Sequence, residues 1–583
     1  MKSFFKSFFS IVANLCFLLS IFSCNLNADS SQNADRTNKY IDDSNLEALS
    51  AQELTVLMGN GINLGNTFDA VGKYWLGYEN TVDEYAAAWG MPKTTEAMFI
   101  KMKASGLDSV RIPVSWTNTM DFDNGDFEIS EDFLAGVKEA VDWALNAGLY
   151  VILNDHHDGE WQKLFSSNET LAWKIFDSIW EQVGEYFKDE PLQLIFEGGN
   201  EQFGSCLGFS TKDENYAMAN EINQHFVDFI RNQGGNNTKR FLLLPGYDTG
   251  FTDTADSRWK MPTDSANTVN KLMASVHYYD PGFFAIYKMS NKWGSKAQYQ
   301  AAMDLFTTMK TMIDQGYGVV VGEYAPTKDY NGNIKEGAED WIRTCLDLSD
   351  YYNYVPLLWD CSDYFNRDTS SGKALGFGDY PEIAEIYSGR SYAVQGNVTG
   401  TGLAMVEARM NEAPECVYDT TYSLTQTSKA IAYIGYSEGG WQVNTAAIDS
   451  TWNPDVQMCG VVCTNKEFTT AATGTYTVSL DFSNSILAGE ETNFNPGEGK
   501  ANGGYHLYLH ITNGNKILSG KKITVTGIKA GDTDISMSGT LSATASGSGN
   551  LSLEVYSEWG SNKLIDMSKI SNASSLSITF KIE

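Results

Sequence analysis

An apolar run, Leu194-Ile-Phe-Glu-Gly-Gly-Asn-Glu-Gln-Phe203, ends in an amide and a carboxylate, Asn200 and Glu201. A second apolar run, Gly318-Val-Val-Val-Gly-Glu-Tyr324, ends in the same way at Glu323. Short runs rich in branched apolar residues are typical of parallel strands that are buried on both faces. Because the carboxyl ends of parallel strands meet at one edge of a sheet, the two glutamates are expected to face each other across one cleft.

Eight runs of this kind alternate with segments whose apolar residues recur every three or four positions, as in a helix at 131–145 that Gly148 ends. The predicted strands are 61–68, 109–116, 150–157, 192–201, 240–247, 272–279, 318–325 and 356–363. Eight strand–helix units fit an α/β fold of the (β/α)8 TIM-barrel type better than an open doubly wound sheet. No Gly-x-Gly-x-x-Gly turn follows the first strand, so a dinucleotide-binding fold has no support.

Polar and aromatic residues gather at the carboxyl ends of the predicted strands, the barrel face on which active sites are built. They are Asn66, Arg111, His156, Asn200, Glu201, His277, Tyr279, Glu323 and Trp359. Hydrolysis of a glycosidic bond needs one carboxyl group to protonate the leaving oxygen and another to meet the oxocarbenium-like centre. Glu201 and Glu323, on strands four and seven of the ring, are the predicted catalytic pair. A separation of about 5–5.5 Å between them would make the second a nucleophile and retain configuration.

The other strand-end residues are expected to support this pair. Arg111 would keep Glu323 ionised, because a nearby cation lowers the pKa of a carboxylate. Tyr279 could donate a hydrogen bond to the same carboxylate, and Asn200 could bind the sugar 2-hydroxyl. Trp359 could form the apolar floor on which a glucosyl ring stacks. Two imidazoles would orient neighbours or bind substrate hydroxyls: His156 and His277.

Other interpretations of these residues are weaker. A single strand-end glutamate could equally form a salt bridge, but a pair in an eight-strand context favours catalysis. The sequence His156-His157-Asp158 could suggest a metal cluster. Paired carboxylates need no metal, so no metal and no cofactor are predicted. No Gly-x-Ser-x-Gly turn supports a serine triad.

Seven motifs occur in order over residues 46–388. They are Gly61-Ile-Asn-Leu-Gly-Asn-Thr-Phe68, Asp108-Ser-Val-Arg-Ile-Pro-Val-Ser-Trp116, Val151-Ile-Leu-Asn-Asp-His-His157, Phe196-Glu-Gly-Gly-Asn-Glu201, Ser275-Val-His-Tyr-Tyr-Asp-Pro281, Val321-Gly-Glu-Tyr324 and Leu358-Trp-Asp-Cys-Ser-Asp363. Together they resemble glycoside hydrolase family 5, in its endoglucanase-like group. The resemblance implies that Glu201 is the acid/base and Glu323 the nucleophile of a retaining endo-β-1,4-glucanase. It places the family's remaining active-site positions at Arg111, His156, Asn200, His277, Tyr279 and Trp359.

The chain departs from the family pattern at Ile62, Gln202 and Gly282, where a Trp, a Pro and an aromatic residue are common. Gly282 could widen or weaken a substrate subsite, so the resemblance leaves the substrate open among cellulose, mixed-linkage glucan, xyloglucan and xylan. A xyloglucanase, a xylanase, a mannanase and a catalytically silent glycan-binding surface protein are the alternatives. Four loop tryptophans could line subsites, with surface or core packing as the alternative: Trp75, Trp161, Trp259 and Trp293.

The pattern changes after residue 390 to short segments with alternating apolar residues and Gly, Ser and Asn turns. The predicted strands are 476–482, 506–511, 522–526, 551–556 and 576–580. They indicate an all-β, jelly-roll-like sandwich. A sandwich that follows a glycanase barrel suggests a carbohydrate-binding module, with a structural scaffold as the alternative. Its candidate sugar-stacking residues are Trp441, Trp452, Tyr505 and Trp559.

The amino-terminal sequence predicts a targeting segment. Lys2 and Lys6 precede a short apolar run at 11–22, and the run ends in Leu19-Ser-Ile-Phe-Ser-Cys24, which resembles a bacterial lipoprotein signal. A membrane contact is therefore expected only through a lipid on Cys24, with export to the cell surface. The alternative is ordinary secretion after cleavage near Ala28.

Length and charge complete the prediction. A chain of 583 residues suggests two or three domains. Its formal charge of −32 argues against nucleic acid or an anionic membrane surface as a partner, but it does not select a partner. The family resemblance implies a β-glucan as the partner, and a monomer is expected. The predicted organisation is a signal peptide at 1–24, a tether at 25–44, the barrel at 45–390, a linker at 391–402 and the sandwich at 403–583.

Overall fold

The structure is a computed structural model, and it divides into two compact units. It describes residues 43–71, 77–286, 292–329, 332–388, 390, 401–414, 430–437, 462–464, 466–481, 506–558 and 560–583. The first unit holds all eight barrel strands described below, and the second holds the carboxyl-terminal sheets together with residues 279–302 and 326–344. The linker predicted at 391–402 stays a prediction, because most of it lies outside the described residues.

Eight parallel strands close into a barrel in which each strand pairs with its neighbour in sequence and the last pairs with the first. The strands are β1 Gly61–Asn63, β2 Ser109–Ile112, β3 Tyr150–Asn154, β4 Leu194–Glu197, β5 Leu242–Pro245, β6 Leu272–Tyr278, β7 Gly318–Tyr324 and β8 Tyr354–Leu358. Every residue of these strands is buried, which explains the continuous apolar runs in the sequence. The predicted (β/α)8 barrel is confirmed.

Helices follow the strands along the chain. They are α1 Asp43–Glu47, α2 Ala51–Met58, α3 Val82–Ala88, α4 Glu96–Ala104, α5 Glu131–Asn146, α6 Leu164–Ser167, α7 Glu169–Tyr186, α8 Lys212–Arg231, α9 Phe251–Thr254, α10 Gly282–Ala285, α11 Lys296–Thr308, α12 Lys310–Asp314, α13 Ala338–Tyr352, α14 Pro381–Ser388, α15 Gly402–Glu412 and α16 Gly514–Ile517. The helix predicted at 131–145 is α5, and Gly148 follows it with a φ of +78°. The backbone N–H of Gly148 donates to the carbonyl of Leu145, which satisfies one of the last carbonyls of α5.

The amino-terminal end of the barrel is closed by α2. Leu54 and Met58 of this helix share one buried apolar cluster with Ile152 of β3, Leu243 of β5 and Val320 of β7. Ser50 and Glu53 form a capping box at the start of α2. Because α2 covers the amino ends of the strands, the polar residues at the carboxyl ends are left to form a site.

The carboxyl-terminal strands form two antiparallel sheets with one shared core. The strands are β9 Ala430–Ser437, β10 Val462–Thr464, β11 Lys466–Phe468, β12 Gly474–Asp481, β13 His506–Thr512, β14 Lys522–Ala530, β15 Thr533–Asp534, β16 Leu541–Thr544, β17 Leu551–Ser557 and β18 Ser575–Ile582. One sheet has the order β10-β12-β18-β14-β15 with β16 also on β14, and the other has the order β11-β9-β13-β17. Ile434 and Leu509 of the second sheet lie in one cluster with Val478 and Ile578 of the first. The predicted sandwich is confirmed.

Several predicted features fall elsewhere than expected or outside the described residues. The range that begins at 403 starts with a helix, α15, and the described strands begin at Ala430. Among the described residues, no helix is long and apolar enough to cross a bilayer. Cys345 is a buried free thiol. Six predicted positions lie outside the described residues: Cys24, Trp75, Trp441, Trp452, Tyr505 and Trp559.

Candidate active site

Arg111 connects four strand ends at the carboxyl face of the barrel. It lies on β2, and its side chain is fully buried. Its Nε donates to Glu197 Oε2 over 2.6 Å, and its Nη2 donates to Asn200 Oδ1 over 2.8 Å. Its Nη1 donates to Asn63 Oδ1 over 3.0 Å and to Glu323 Oε1 over 2.8 Å. One planar guanidinium therefore fixes the relative positions of β1, β4 and β7.

Two partners of Arg111 were not assigned any function from the sequence. Glu197, the last residue of β4, is fully buried and accepts a second hydrogen bond from Ser275 Oγ over 2.7 Å. Asn63, the last residue of β1, donates from Nδ2 to the carbonyl of Gly322 over 2.9 Å. Burial alone would lower the pKa of Arg111, but Glu197 and Glu323 raise it above its usual value, so the cation stays charged among buried groups.

Glu323 lies on β7 and is almost fully buried. Burial raises the pKa of its carboxyl group, while His277 and Arg111 act in the opposite direction. The prediction that Arg111 favours the ionised form is therefore right in direction, but burial outweighs it and the net pKa is raised. The buried environment was not apparent from the sequence, in which Glu323 stands at the end of its run.

Glu201 and Glu323 lie on either side of His277. His277 Nδ1 is 2.8 Å from Glu201 Oε1 and 3.6 Å from Glu323 Oε2. One oxygen of Glu201 lies within 4.8 Å of one oxygen of Glu323. The Glu201 side chain is half-exposed, at 52%, whereas His277 is buried, so the cleft opens on the side of Glu201.

The pKa values of His277 and Glu201 are shifted in opposite directions. Burial lowers the pKa of His277, but the charges of Glu323 and Glu201 and the bond to Glu201 raise it to a net value above its usual one. Burial raises the pKa of Glu201, but the bond and charge of His277 lower it to a net value below its usual one. These opposite shifts favour the imidazole as the proton donor in the hydrogen bond that His277 and Glu201 share.

His156 and Trp359 form the opposite wall of this site. Their rings are stacked, with centroids 5.6 Å apart and an angle of 7° between the planes. His156 Nε2 lies 3.4 Å from Asn200 Nδ2 and 3.8 Å from Glu323 Oε1. Burial and three neighbouring cationic or imidazole groups lower the pKa of His156 well below its usual value, so His156 is neutral. Trp359 is only partly buried.

The family described as Cellulase (glycosyl hydrolase family 5) matches residues 68–365 of the chain, which is just over half of its 583 residues. The chain belongs to glycoside hydrolase family 5. As a family 5 member it is a glycosidase, and its closed eight-stranded barrel agrees with that membership.

Relatives with a described activity are similar over the barrel. Endoglucanase A of Clostridium longisporum is 32% identical over 56% of this chain and 62% of its own length. A xyloglucan-specific endo-β-1,4-glucanase of Bacteroides ovatus is 32% identical over 56% of this chain and 69% of its own length. The structure of a GH5-4 broad-specificity endoglucanase from an uncultured bovine rumen ciliate covers 59% of this chain and 98% of its own, with 29% identity and a TM-score of 0.52. The chain thus spans less than two thirds of the Clostridium enzyme.

Some predicted site residues of this family 5 glycosidase lie apart from the network around Arg111. Asn66 is in a left-handed turn, with a φ of +58°, and its backbone N–H donates to Asp69 Oδ2. The amide of this segment that Arg111 contacts is that of Asn63, three residues earlier at the end of β1. Tyr279 follows β6 directly and is half-buried, and its bond to Glu323 stays a prediction.

The interpretation of the loop tryptophans as subsite residues needs correction. Trp161 and Trp259 are each 2% exposed, and Trp293 is 3% exposed. Trp293 packs edge-on against Tyr299, with ring centroids 4.6 Å apart. A ring buried to this extent has no free face on which a sugar could stack. Core packing, the alternative weighed for each of them, is therefore the correct interpretation.

Two groups of side chains among the described residues have the composition of a metal site: Asp69, His156 and His157, and Glu201, His277 and Glu323. In the first group His156 Nδ1 lies 3.1 Å from Asn154 Nδ2, and His156 Nε2 lies beside Asn200 Nδ2. A metal at His156 would have to displace one of these amides. Burial raises the pKa of Asp69 to about 7. The expectation of no metal stays a prediction.

Replacing Arg111 with methionine is expected to destabilise the barrel by about 3–5 kcal/mol, because Glu197 and Glu323 would remain buried without their cation. Denaturant unfolding measures the change. The matched control is Arg258→Met, which removes exposed ion pairs with Asp213 and Asp256 and should cost less than about 1 kcal/mol. Equal losses in the two variants would show that the buried network adds nothing.

Replacing His277 with asparagine is expected to move the alkaline limb of the kcat/KM profile to lower pH. Asparagine can still donate to Glu201, but it cannot hold a proton, so the proton of the pair is lost in the carboxyl range instead of above the usual imidazole range. We expect a shift of about one pH unit or more. His157→Asn is the control, because His157 is an exposed neighbour; a profile unchanged in His277→Asn would contradict the shared proton.

Proposed function

We propose that the chain is a retaining endo-β-1,4-glucanase in which Glu323 is the nucleophile and Glu201 the acid/base. The observation that carries this proposal is the approach of two carboxylate oxygens to within 4.8 Å across His277. Inverting glycosidases separate their carboxyl groups by about 6.5–9.5 Å to admit a water molecule, whereas retaining enzymes keep them about 5–5.5 Å apart. The spacing supports direct attack by one carboxylate on the sugar.

The two steps of the reaction use the different exposure of the two glutamates. Glu323 attacks the anomeric carbon while Glu201 passes the proton that it shares with His277 to the leaving oxygen, which breaks the glycosidic bond and forms a glycosyl ester on Glu323. Glu201, now ionised, then takes a proton from a water molecule whose oxygen displaces Glu323. The half-exposed position of Glu201 suits a group that must meet first a leaving sugar and then water. Arg111 holds Glu323 in place through both steps.

The stereochemical course tests this proposal directly. Proton NMR of a cello-oligosaccharide digest should show the β-anomer of the new reducing end first, before mutarotation. An α-anomer as the first product would exclude the retaining mechanism. Endo-cleavage should lower the viscosity of a soluble glucan quickly while few reducing ends form. Release of cellobiose as the sole product would contradict endo-cleavage.

The substrate is proposed to be a β-1,4-glucan backbone. Similarity to an endoglucanase and to a xyloglucan-specific enzyme supports this class and makes xyloglucan the second candidate. Initial rates on carboxymethylcellulose, mixed-linkage glucan, xyloglucan, xylan and mannan separate these possibilities. A rate on xylan or mannan above that on every glucan would replace the proposal. No hydrolysis of any of them would favour the silent glycan-binding protein.

We further propose that the sandwich is a carbohydrate-binding module, and the outer faces of its two sheets support this. On the β12–β18 pair the outward partners are small and polar, such as Thr477 opposite Thr579. On the other sheet, Tyr508 pairs with Gly435 and is only partly buried, whereas Tyr433 and His510 of the same sheet are buried. Aromatic rings among hydrogen-bonding groups are the chemistry that binds sugar rings.

Glucan pull-down with the catalytically silent Glu323→Gln chain tests the module. Tyr508→Ala should weaken retention on insoluble glucan, because Tyr508 lies over Gly435 and is only partly buried. Thr477→Ala on the other sheet is the matched control and should leave retention unchanged. Equal retention by both variants would favour a structural scaffold.

The location of the protein is also a proposal. Lys2, Lys6 and the sequence before Cys24 support export with a lipid on Cys24. Metabolic labelling with a radioactive fatty acid should mark the wild-type chain and not Cys24→Ala. Labelling of both chains, or of neither, would exclude attachment at this residue.

A further inference from the structure

The position of Glu201 depends on a turn rather than on a strand. Strand β4 ends at Glu197, and Glu201 lies four residues later in a segment without regular structure. Its side chain is half-exposed and bonded to His277. The hydrogen bonds of the β-sheet therefore do not fix the position of this carboxyl group, and other contacts must do so.

The side chain of Gln202 spans the gap between two loops. It is 9% exposed. Its Oε1 accepts the backbone N–H of Asn200 over 2.9 Å, and its Nε2 donates to the backbone carbonyl of Asp155 over 3.2 Å. Asn200 belongs to the turn after β4, whereas Asp155 belongs to the loop after β3 and precedes His156. These two hydrogen bonds form a bracket that links the turn carrying Glu201 to the loop carrying His156.

The bond to Gln202 is the second hydrogen bond that restrains Asn200, the residue before Glu201. Asn200 is held at its side chain by Arg111 Nη2 and at its backbone by Gln202 Oε1. One bond restrains the side chain of Asn200 and the other restrains its backbone. Glu201 follows directly and inherits that position through the peptide bond.

We propose that Gln202 is a positioning residue for the acid/base: its bracket sets the distance from the Glu201 carboxyl group to the leaving oxygen. The inference rests on the proposed function of Glu201. A general acid works only within hydrogen-bond reach of the atom that it protonates. A displacement of about 1 Å can cost up to about 100-fold in rate. Both polar ends of the Gln202 side chain bond to backbone groups, so its effect on the reaction passes through Glu201.

Aryl β-cellobiosides with different leaving groups provide the test. Dinitrophenolate leaves without a proton, whereas a weakly acidic phenol or a sugar alcohol needs one from Glu201. Gln202→Met keeps the size of the side chain and removes both hydrogen bonds. We expect kcat/KM to fall about 10- to 100-fold on phenyl β-cellobioside and on cellohexaose, and less than about threefold on the dinitrophenyl substrate.

The chain contains a matched control at Gln182. This glutamine makes the same kind of bracket, accepting from the backbone N–H of Ile129 over 2.8 Å and donating to the carbonyl of Phe127 over 2.8 Å. It lies on α7, away from the strand ends. Gln182→Met should lower Tm about as much as Gln202→Met and leave the dependence of kcat/KM on the leaving group unchanged.

A second variant keeps the test decisive if Gln202→Met does not fold. Gln202→Glu can still accept from Asn200 N–H but cannot donate to Asp155, and at its own pH optimum it should show the same leaving-group dependence with a smaller loss. A uniform loss on all substrates, or no loss, in either variant overturns the inference and leaves Gln202 a structural residue. A wild-type chain that cleaves no aryl cellobioside overturns the proposed function, and this inference with it.

Discussion

Replacing Glu323 with glutamine is expected to abolish glucan hydrolysis and to leave the fold intact. The amide of glutamine is not a nucleophile, so no glycosyl ester can form, and we expect kcat to fall by about 10⁴-fold or more. The fold should persist because the amide oxygen can still accept the bond that Arg111 Nη1 gives to Glu323 Oε1. Reducing-end assays measure the loss, and circular dichroism with a thermal scan checks the fold.

The nearby Glu197→Gln variant is the matched control for this prediction. Glu197 is equally buried and bonded to the same guanidinium, but it lies within the ladder of β4 and does not face His277. Its replacement should cost far less activity. A dinitrophenyl 2-deoxy-2-fluoro-cellobioside should trap the wild-type ester, and peptide mass spectrometry should find the label on Glu323. A label elsewhere, or turnover by Glu323→Gln, would overturn the assignment.

The eight barrel strands were predictable because burial on both faces leaves a simple trace in the sequence. A run such as Val319 to Val321 has no polar face, and only a few folds bury strands in this way. The ends were less predictable. The first strand was predicted at 61–68 and is Gly61–Asn63, because the residues after the ladder are also buried. The apolar pattern in the sequence therefore reflects burial of the residues rather than their pairing in the β-sheet.

The same limit explains the missed part of the site. Glu197 lies within its apolar run, whereas the predicted chemistry rests on Asn200 and Glu201 at the end of that run. A glutamate inside a buried run requires a buried cation, and Arg111 stands inside the run of β2. That pairing was therefore present in the sequence, whereas the bracket made by Gln202 depends on a loop geometry that no pattern encodes.

Surface and interior tryptophans could not be separated from the sequence alone. Trp259 and Trp293 stand on loops between helices and strands, where exposure is expected, yet both are buried. Large loops pack their own aromatic side chains, and spacing carries no information on the direction of such a ring. In the sandwich, β9 was missed because three of its core positions are filled by Ala430, Ala432 and Ile434, which give a weak alternating pattern.

Replacing Glu201 with glutamine is expected to separate the two chemical steps of the proposed mechanism. The variant has no proton to give, so kcat/KM on cellohexaose should fall by about 10²- to 10⁴-fold. On dinitrophenyl β-cellobioside, kcat/KM should change little because the leaving group needs no proton. The glutamine oxygen can still accept from His277 Nδ1, which is 2.8 Å from Glu201 Oε1, so the geometry of the nucleophile is preserved.

The second step should stall in the same variant, because no base remains to activate water, and azide should rescue it. Azide needs no base, and the half-exposed position of Glu201 leaves room for a small anion on that side of the ester. The expected product is β-cellobiosyl azide, since two displacements retain configuration. An α-azide would mean a single displacement, in which Glu323 forms no ester. An absence of rescue combined with full activity on cellohexaose would show that another group protonates the leaving oxygen.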